Sequence, residues 1–254
     1  MDVNKNSYTF GFAAIMVIVV AALLSSAAIG LKPFQSKNVL LEKKQNILSS
    51  VGINIEREEA DLKYPSVIKE ELVINSMGEK IDGIAFDIDL QKELKKDPNE
   101  QSLPLYISEI NGKRQYIIPL RGKGLWGPIW GFISLEDDLN KVFGAVFDHK
   151  TETPGLGAEI NMPFFQDPFI GKTIFESGDL VSIKVVKGGA SEDDMHGVDG
   201  ISGGTITSDG VTDMLMERLN MYLPYFAKLK LDMELNNTSA QIDSSLTLND
   251  LITK

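Results

Sequence analysis

The sequence predicts an α+β protein: one N-terminal transmembrane helix, then a soluble domain with a mostly antiparallel sheet and packed helices. Three features predict it. Residues 8–31 form an uncharged apolar run, short β-branched and aromatic segments are separated by turn signals, and an i, i+4 apolar stripe begins at Val211. The 254 residues suffice for one domain of about 150 to 200 residues plus appendages.

Composition removes several function classes. A formal net charge of −11 repels nucleic acid, so no nucleic-acid partner is expected. Without cysteine the chain has no disulfide, thiolate metal site, cysteine-ligated cluster or cysteine nucleophile.

After a tail of residues 1–7 comes YTFGFAAIMVIVVAALLSSAAIGL, residues 8–31. About 20 apolar residues rising 1.5 Å each cross a hydrocarbon core, so this segment is expected to sit in a lipid bilayer. A cleaved signal peptide is the rival reading, because the small residues from Ser25 to Ala28 imitate a cleavage site. Secretory apolar regions, however, usually run only about 7 to 15 residues. Ala21 and Ser25, Ala22 and Ser26, and Ser26 and Gly30 are small pairs four apart, the spacing at which membrane helices approach closely. Lys32, Lys37, Lys43 and Lys44 follow the span while Lys5 and the amino terminus precede it. By the positive-inside bias the large domain would then stay in the cytoplasm.

Residues 32–61 read as a juxtamembrane helix and linker. Val39, Leu40, Ile47, Leu48 and Val51 have helical spacing, with Asn38 as its cap and Gly52 as its stop. The compact domain, residues 62–230, is expected to start near Leu62, with SVIKEELVI its first ordered run. Ile84–Leu90, LPLYISEI and RQYIIPL read as strands. The last two flank Asn111-Gly112, a dipeptide that favours positive φ at both central positions of a hairpin turn. The charged run ELKKDPNEQS between strands reads as a solvated loop.

In RGKGLWGPIWGFISL, four glycines punctuate two tryptophans. Such a segment either brings backbone close to a flat ligand with Trp126 as a wall, or is a glycine-kinked strand pair with core tryptophans. Val142–Asp148 is a further buried strand, running into HKTETPGLGAEI. There Pro154, Gly155 and Gly157 demand an irregular loop, with Glu152 and Thr153 at its entrance. LVSIKVVKGG supplies another strand. His149 and His196 lack the neighbours of a metal or hydrolase site. Glu192, Asp193 and Asp194 are either a solvated loop or cation ligands, without the alternation of a calcium loop.

Val211, Leu215, Leu219 and Leu223 form the stripe of an amphipathic helix expected to end near Pro224 and to begin at Thr207, Ser208 or Asp209. Residues 231–254 read as a polar C-terminal tail. Ahead of the helix stands SGGTITSDG. Unpaired N–H groups at a helix start, two unobstructive glycines, and the hydroxyls of Ser202, Thr205 and Thr207 suit a phosphate. They equally make an ordinary cap. A P-loop lysine and the dinucleotide G-x-G-x-x-G spacing are both missing.

Ser202-Gly203-Gly204-Thr205-Ile206-Thr207 resembles the flavinylation motif, Ser/Thr-Gly-Ala-Thr-x-Ser/Thr, of the FMN-binding domain family. The departure is Gly204 where alanine is usual. ETPGLG, residues 152–157, looks like that family's second signature, and GLWGPIWGF resembles a segment of the C-subunit family of Na+-translocating NADH:quinone reductases. The resemblance implies FMN carried covalently on Thr207 through a phosphoester, with Ser202, Gly203, Gly204 and Thr205 around the phosphate. Glu152, Thr153, Leu156 and Gly157 would lie against the flavin, walled by Leu125 or Trp126. It implies an electron-transfer subunit working with other membrane subunits of a reductase complex. A Mg2+-dependent flavin transferase would load it from FAD, releasing AMP. The domain would lie outside the bacterial cytoplasmic membrane, against the lysine count; large domains translocate largely regardless of flanking charge. Two alternatives remain: the flavoprotein subunit of an ion-translocating ferredoxin:NAD+ oxidoreductase, and an anchored binding or assembly module without redox function.

Overall fold

The computed structural model describes the backbone of residues 6–252 and the side chains of residues 6–235. Its first element, α1 (Asn6–Ser49), is one helix of 44 residues with Pro33 inside it. The expected separate juxtamembrane helix does not exist, and Asn38 is interior to α1 rather than a cap. The apolar span and the amphipathic stretch are both helix-compatible, and only Pro33 divides them. A proline removes a single N–H from the ladder, a cost of about 3 kcal/mol that a long helix absorbs. Gly52 does end it, at φ +76°. Ile53 N–H donates to Leu48 O and Gly52 N–H to Ser49 O, the paired bonds of a glycine-terminated helix. Apolar residues of the span such as Ile18 and Leu23 are exposed, as a lipid-facing helix requires.

The domain centres on a six-stranded sheet. Its members are β1 (Ile68–Ile74), β2 (Lys80–Ile81), β3 (Leu103–Ile110), β4 (Lys113–Lys123), β5 (Pro128–Leu135) and β6 (Val142–His149). The order is β2-β1-β3-β4-β5-β6, and every pairing is antiparallel. Asn111 and Gly112 turn β3 into β4 at φ 54° and 74°, as their residue types anticipate.

Both faces of the sheet are covered, which explains the unbroken apolar runs in β3 and β4. Tyr116 and Ile118 face the long C-terminal helix, and Ile117 between them faces the other way. On that second face the end of α1 (Ile47, Leu48) and Val51 in the turn after it pack with α2 (Ala60–Val67) against Tyr106 and Phe132. The packed core therefore reaches back to Ile47, beyond the boundary expected near Leu62.

Ile84–Leu90 is not a strand. Ala85–Asp87 form a 3₁₀ turn, followed by the single turn α3 (Leu90–Glu93), whose Asp89 cap accepts Gln91 N–H at 2.9 Å. The alternation there serves burial rather than pairing: Ala85, Phe86 and Ile88 pack beneath α1. After β6 come a 3₁₀ helix, Gly157–Asn161, and the short α4 (Pro163–Gln166). LVSIKVVKGG is broken by Ser182 at φ 60°. Its pieces enter two small ribbons, β7 (Phe175–Glu176) with β8 (Asp179–Leu180), and β9 (Lys184–Val186) parallel with β10 (Gly197–Asp199).

The last element, α5 (Thr205–Ile252), runs through Pro224 instead of ending there. Tyr225 and Phe226 are buried just beyond the proline, and Leu229 and Met233 pack on the same core. Two aromatic side chains worth about 1.5–3 kcal/mol each when buried outweigh the lost bond. Residues 231–252 accordingly continue the helix, where the sequence reads as a polar tail.

Candidate functional site

Three segments converge beside the sheet. The β4–β5 loop is closed by Gly124 N–H donating to Gly127 O at 2.8 Å. The exit from β6 descends through ETPGLG into its 3₁₀ helix, and the third segment is the N-terminus of α5. Glu152, only 5% exposed, joins all three. Its Oε2 accepts the hydroxyl of Thr207 at 2.6 Å, and its Oε1 accepts Trp126 N–H at 2.8 Å. His149 Nδ1 accepts the N–H of Glu152 itself at 3.2 Å, and Thr151 Oγ1 donates to Trp126 O at 3.0 Å.

The glycines are explained by this junction. A Cβ on Gly124 would sit 2.6 Å from Glu152 Oε1, and one on Gly157 would sit 2.6 Å from Glu152 Oε2 while colliding with Thr207 Oγ1. Gly203 has φ +75°, and a Cβ there would meet Leu156 Cδ2 at 2.6 Å. The ETPGLG loop thus lies directly on the SGGT turn.

Gly204 N–H donates to Ile201 O at 2.9 Å, and Ser208 N–H donates to Gly204 O at 2.9 Å. This tight turn starts α5 at Thr205, two residues ahead of the earliest expected start. Thr207 therefore lies within the first turn, 1% exposed. The amides of Thr205, Ile206 and Thr207 precede the intrahelical ladder, a set of donors beside the buried hydroxyl. Ser208 has a structural task, accepting Ile201 N–H at 3.3 Å.

Above this polar floor stands an apolar rim. Trp126 is 66% exposed, so it is not a core tryptophan, and Leu125, Leu156 and Ile206 are exposed beside it in sequence or on the contacting loops. Ile206 was not singled out by the sequence; an apolar residue at the second helical position, facing outward, is its only signal. Thr153 is exposed and acts through its carbonyl, which accepts the N–H groups of Leu156 and Ala158 at 3.1 Å each.

Ser202 and Thr205, with Gly203 and Ser208 of the same turn, line a cleft of about 450 Å³ shared with Lys187, Gly188, Asp199 and Asp209. Thr207 and Glu152 are not part of it. Asp194 closes its own turn by accepting His196 N–H at 2.8 Å, and among the described residues no cluster of His, Asp and Glu has the arrangement of a metal site.

The arrangement fits a molecule with a flat apolar body and a phosphate. Backbone amides and hydroxyls at a helix start favour the anion, and exposed aromatic and aliphatic side chains offer a surface for the rings.

Comparison with known proteins agrees with this. Residues 124–220 match the model of the FMN-binding domain family. The C subunit of the Na(+)-translocating NADH-quinone reductase of Vibrio alginolyticus is 33% identical over 249 residues, covering 90% of this chain and 96% of that protein. Its counterpart from Vibrio vulnificus is 34% identical over 222 residues, covering 80% and 86%. The crystal structure of the same protein from Parabacteroides distasonis superimposes with a TM-score of 0.72 at 46% identity, covering 77% of this chain and 96% of that one. With relatives this similar matched over nearly their full length, the chain belongs to the family of Na(+)-translocating NADH-quinone reductase C subunits.

Proposed function

We propose that this chain is the electron-relay subunit of a membrane Na+-translocating NADH:quinone oxidoreductase and holds FMN through a phosphoester on Thr207 Oγ1. The observation that carries the reading is a threonine hydroxyl placed at a helix start, fixed by a buried carboxylate and surrounded by exposed apolar side chains. FMN supplies the redox chemistry when bound; the chain supplies attachment, orientation and surroundings.

In this reading the free amides of Thr205 and Ile206 and the glycine turn of Gly203 and Gly204 receive the phosphate. Ser202 and Thr205 contribute hydroxyls from the flank. Leu125, Trp126, Leu156 and Ile206 cover the ring system, while Thr153 and Gly157 hold the ETPGLG loop in shape. A covalent bond suits such an open site, because a ring resting on a surface rim has too little burial to be retained by contact alone.

A Mg2+-dependent flavin transferase loads the chain, and the other membrane subunits of the complex supply and accept its electrons. The domain lies on the extracytoplasmic side of the bacterial inner membrane, anchored by residues 8–31. Similarity to quinone reductase subunits across nearly the whole chain favours this over a ferredoxin:NAD+ oxidoreductase.

Coexpression with a flavin transferase is expected to add the mass of FMN less one water to the peptide containing Thr207, and to give a fluorescent band on a denaturing gel. Thr207→Ala protein that kept covalent fluorescence would refute the attachment site. For orientation, protease added to spheroplasts is expected to digest the domain; full protection would place it in the cytoplasm.

A further inference from the structure

We propose that Glu152 is the proton acceptor for flavin attachment: its carboxylate takes the Thr207 hydroxyl proton as Oγ1 attacks the incoming phosphorus. The proposal rests on Thr207 being the attachment residue. It assigns to this chain, and not to the transferase, the group that activates its own nucleophile.

A threonine hydroxyl is a weak nucleophile at neutral pH and needs an adjacent base. Glu152 Oε2 is 2.6 Å from Thr207 Oγ1, within the reach required of a general base. The hydroxyl has a fixed direction, because the carboxylate is its acceptor and Gly157 backs the contact so closely that no side chain fits there. The carboxylate is itself held from the far side by Trp126 N–H, and the Glu152 backbone by His149.

Thr207 is 1% exposed, so the phosphorus reaches Oγ1 only when part of the covering loop lifts. Leu156, which lies over Gly203, belongs to the stretch 153–157, and its neighbours Pro154 and Gly155 are exposed, with open space beside the Gly155 Cα. Glu152 precedes that stretch and keeps its two anchors on the β4–β5 loop and the end of β6. The base stays beside the hydroxyl while the cover opens.

The step balances without any change of oxidation state. The Thr207 Oγ1–H bond breaks, and its proton passes to Glu152 Oε2. Oγ1 forms a bond to the riboflavin-side phosphorus of a flavin adenine dinucleotide bound to the transferase. The anhydride P–O bond breaks, and AMP leaves with its electron pair.

The test uses the full chain in detergent with purified flavin transferase, FAD and Mg2+. Attachment is timed by gel fluorescence and by the mass of the Thr207 peptide, with thermal unfolding recorded for each variant. Glu152→Gln retains the size of the side chain and an acceptor for Trp126 N–H but cannot take a proton; attachment is expected to slow about 100-fold or more, the usual contribution of a general base. Glu152→Asp keeps a carboxylate and is expected to be faster than Glu152→Gln by at least about tenfold on the same ground. Equal rates for the Asp and Gln variants, or a folded Glu152→Gln protein attaching FMN at the wild-type rate, would overturn the assignment. Wild-type protein that gained no mass at Thr207 would instead refute the attachment site, a separate outcome.

Discussion

Replacing Gly157 with alanine tests how tightly the site is built. Gly157 has no left-handed φ, so alanine brings no backbone strain; its methyl group would sit 2.6 Å from Glu152 Oε2, 3.1 Å from Thr207 Cβ, and closer still to Thr207 Oγ1. Neither neighbour yields easily, since Thr207 is fixed in the first turn of α5 and the carboxylate is tied to Trp126 N–H. The methyl therefore separates hydroxyl from carboxylate. A charge-assisted hydrogen bond is worth about 1.5–3 kcal/mol, and overpacking costs about 1–3 kcal/mol. The two overlap because they describe one displacement, so about 3 kcal/mol is expected. For a domain of this size each kcal/mol moves the midpoint by about 2–4 °C, giving a drop of about 6–12 °C. The assay is calorimetry or circular dichroism on FMN-free protein. Gly155→Ala is the matched control: φ is +77° with nothing within 4 Å. It should lose only the backbone term of about 1–2 kcal/mol and attach FMN normally. A Gly157→Ala midpoint within about 2 °C of wild type, with normal attachment, would show that the contact is not close.

Other outcomes follow from the same geometry. Gly204→Ala, which restores the family's usual residue, puts a methyl 3.1 Å from Ile201 Cβ and 3.4 Å from Gly157 N without a left-handed φ; stability should change by less than about 1.5 kcal/mol with attachment kept, and loss of the modified peptide would contradict this. Gly210→Ala drives a Cβ into Lys123 O of β4, with Lys123 C at 3.3 Å. Backbone cannot rotate away, so α5 must move off the sheet; about 2–3 kcal/mol should be lost in denaturant titration along with attachment. Burial lowers Lys43 from 10.5 to about 8, against the opposing pull of Glu71, Asp87 and Asp89. Between pH 8 and 10.5 the unfolded chain holds a proton that the folded chain lacks, so stability rises with pH across that window, by at most about 3 kcal/mol. Burial raises Tyr106 and Tyr222, and Tyr225 to about 12; unfolded tyrosines ionise near pH 10, so stability falls above it. Urea midpoints across this range should rise and then fall, and Lys43→Met should flatten the rise alone.

Local sequence revealed what is decided locally. Asn111-Gly112 fixed a hairpin because both residues tolerate positive φ, and Gly52 marked a helix end for the same reason. The hydroxyl-rich turn was legible as a motif, although its hydroxyls turned out to do three different things: Thr207 meets Glu152, Ser208 holds Ile201 N–H, and Ser202 and Thr205 face the cleft on the flank of the turn. Sequence reading failed where tertiary burial overrides local preference. Pro33 and Pro224 are breakers by propensity, yet a helix continues through each. At Pro224 the reason is visible in Tyr225 and Phe226, which are buried only if the helix goes on. IAFDIDL has strand alternation, but its apolar residues find the underside of α1 instead of a neighbouring strand. The contact between Glu152 and Thr207 spans 55 positions, and no local pattern specifies it; only the resemblance placed both residues at one site.

The continuity of α1 bears on how a relay at this position works. Its last turn is seated against the strands that carry the site: Ser134 Oγ of β5 donates to Ser50 O, and Gly144 of β6 lacks a side chain where a Cβ would strike that same carbonyl. The loop before β5 holds Trp126, and the loop after β6 holds Glu152. The helix end and the two loops of the site are therefore borne by the same pair of hydrogen-bonded strands, β5 and β6. Residues 32–46 rise by about 1.5 Å each, setting roughly 22 Å between the end of the apolar span and Ile47, the first fully buried residue of α1, with the domain already met at Lys43, whose Nζ donates to Phe86 O. A flexible linker of the same length would have an r.m.s. span of about 20 Å as well, but in every direction. The two designs reach equally far; only the helix fixes the direction. With Pro33 the one missing donor near the membrane end of this segment, bending at that point would swing the domain as a body, leaving the geometry around Thr207 unchanged.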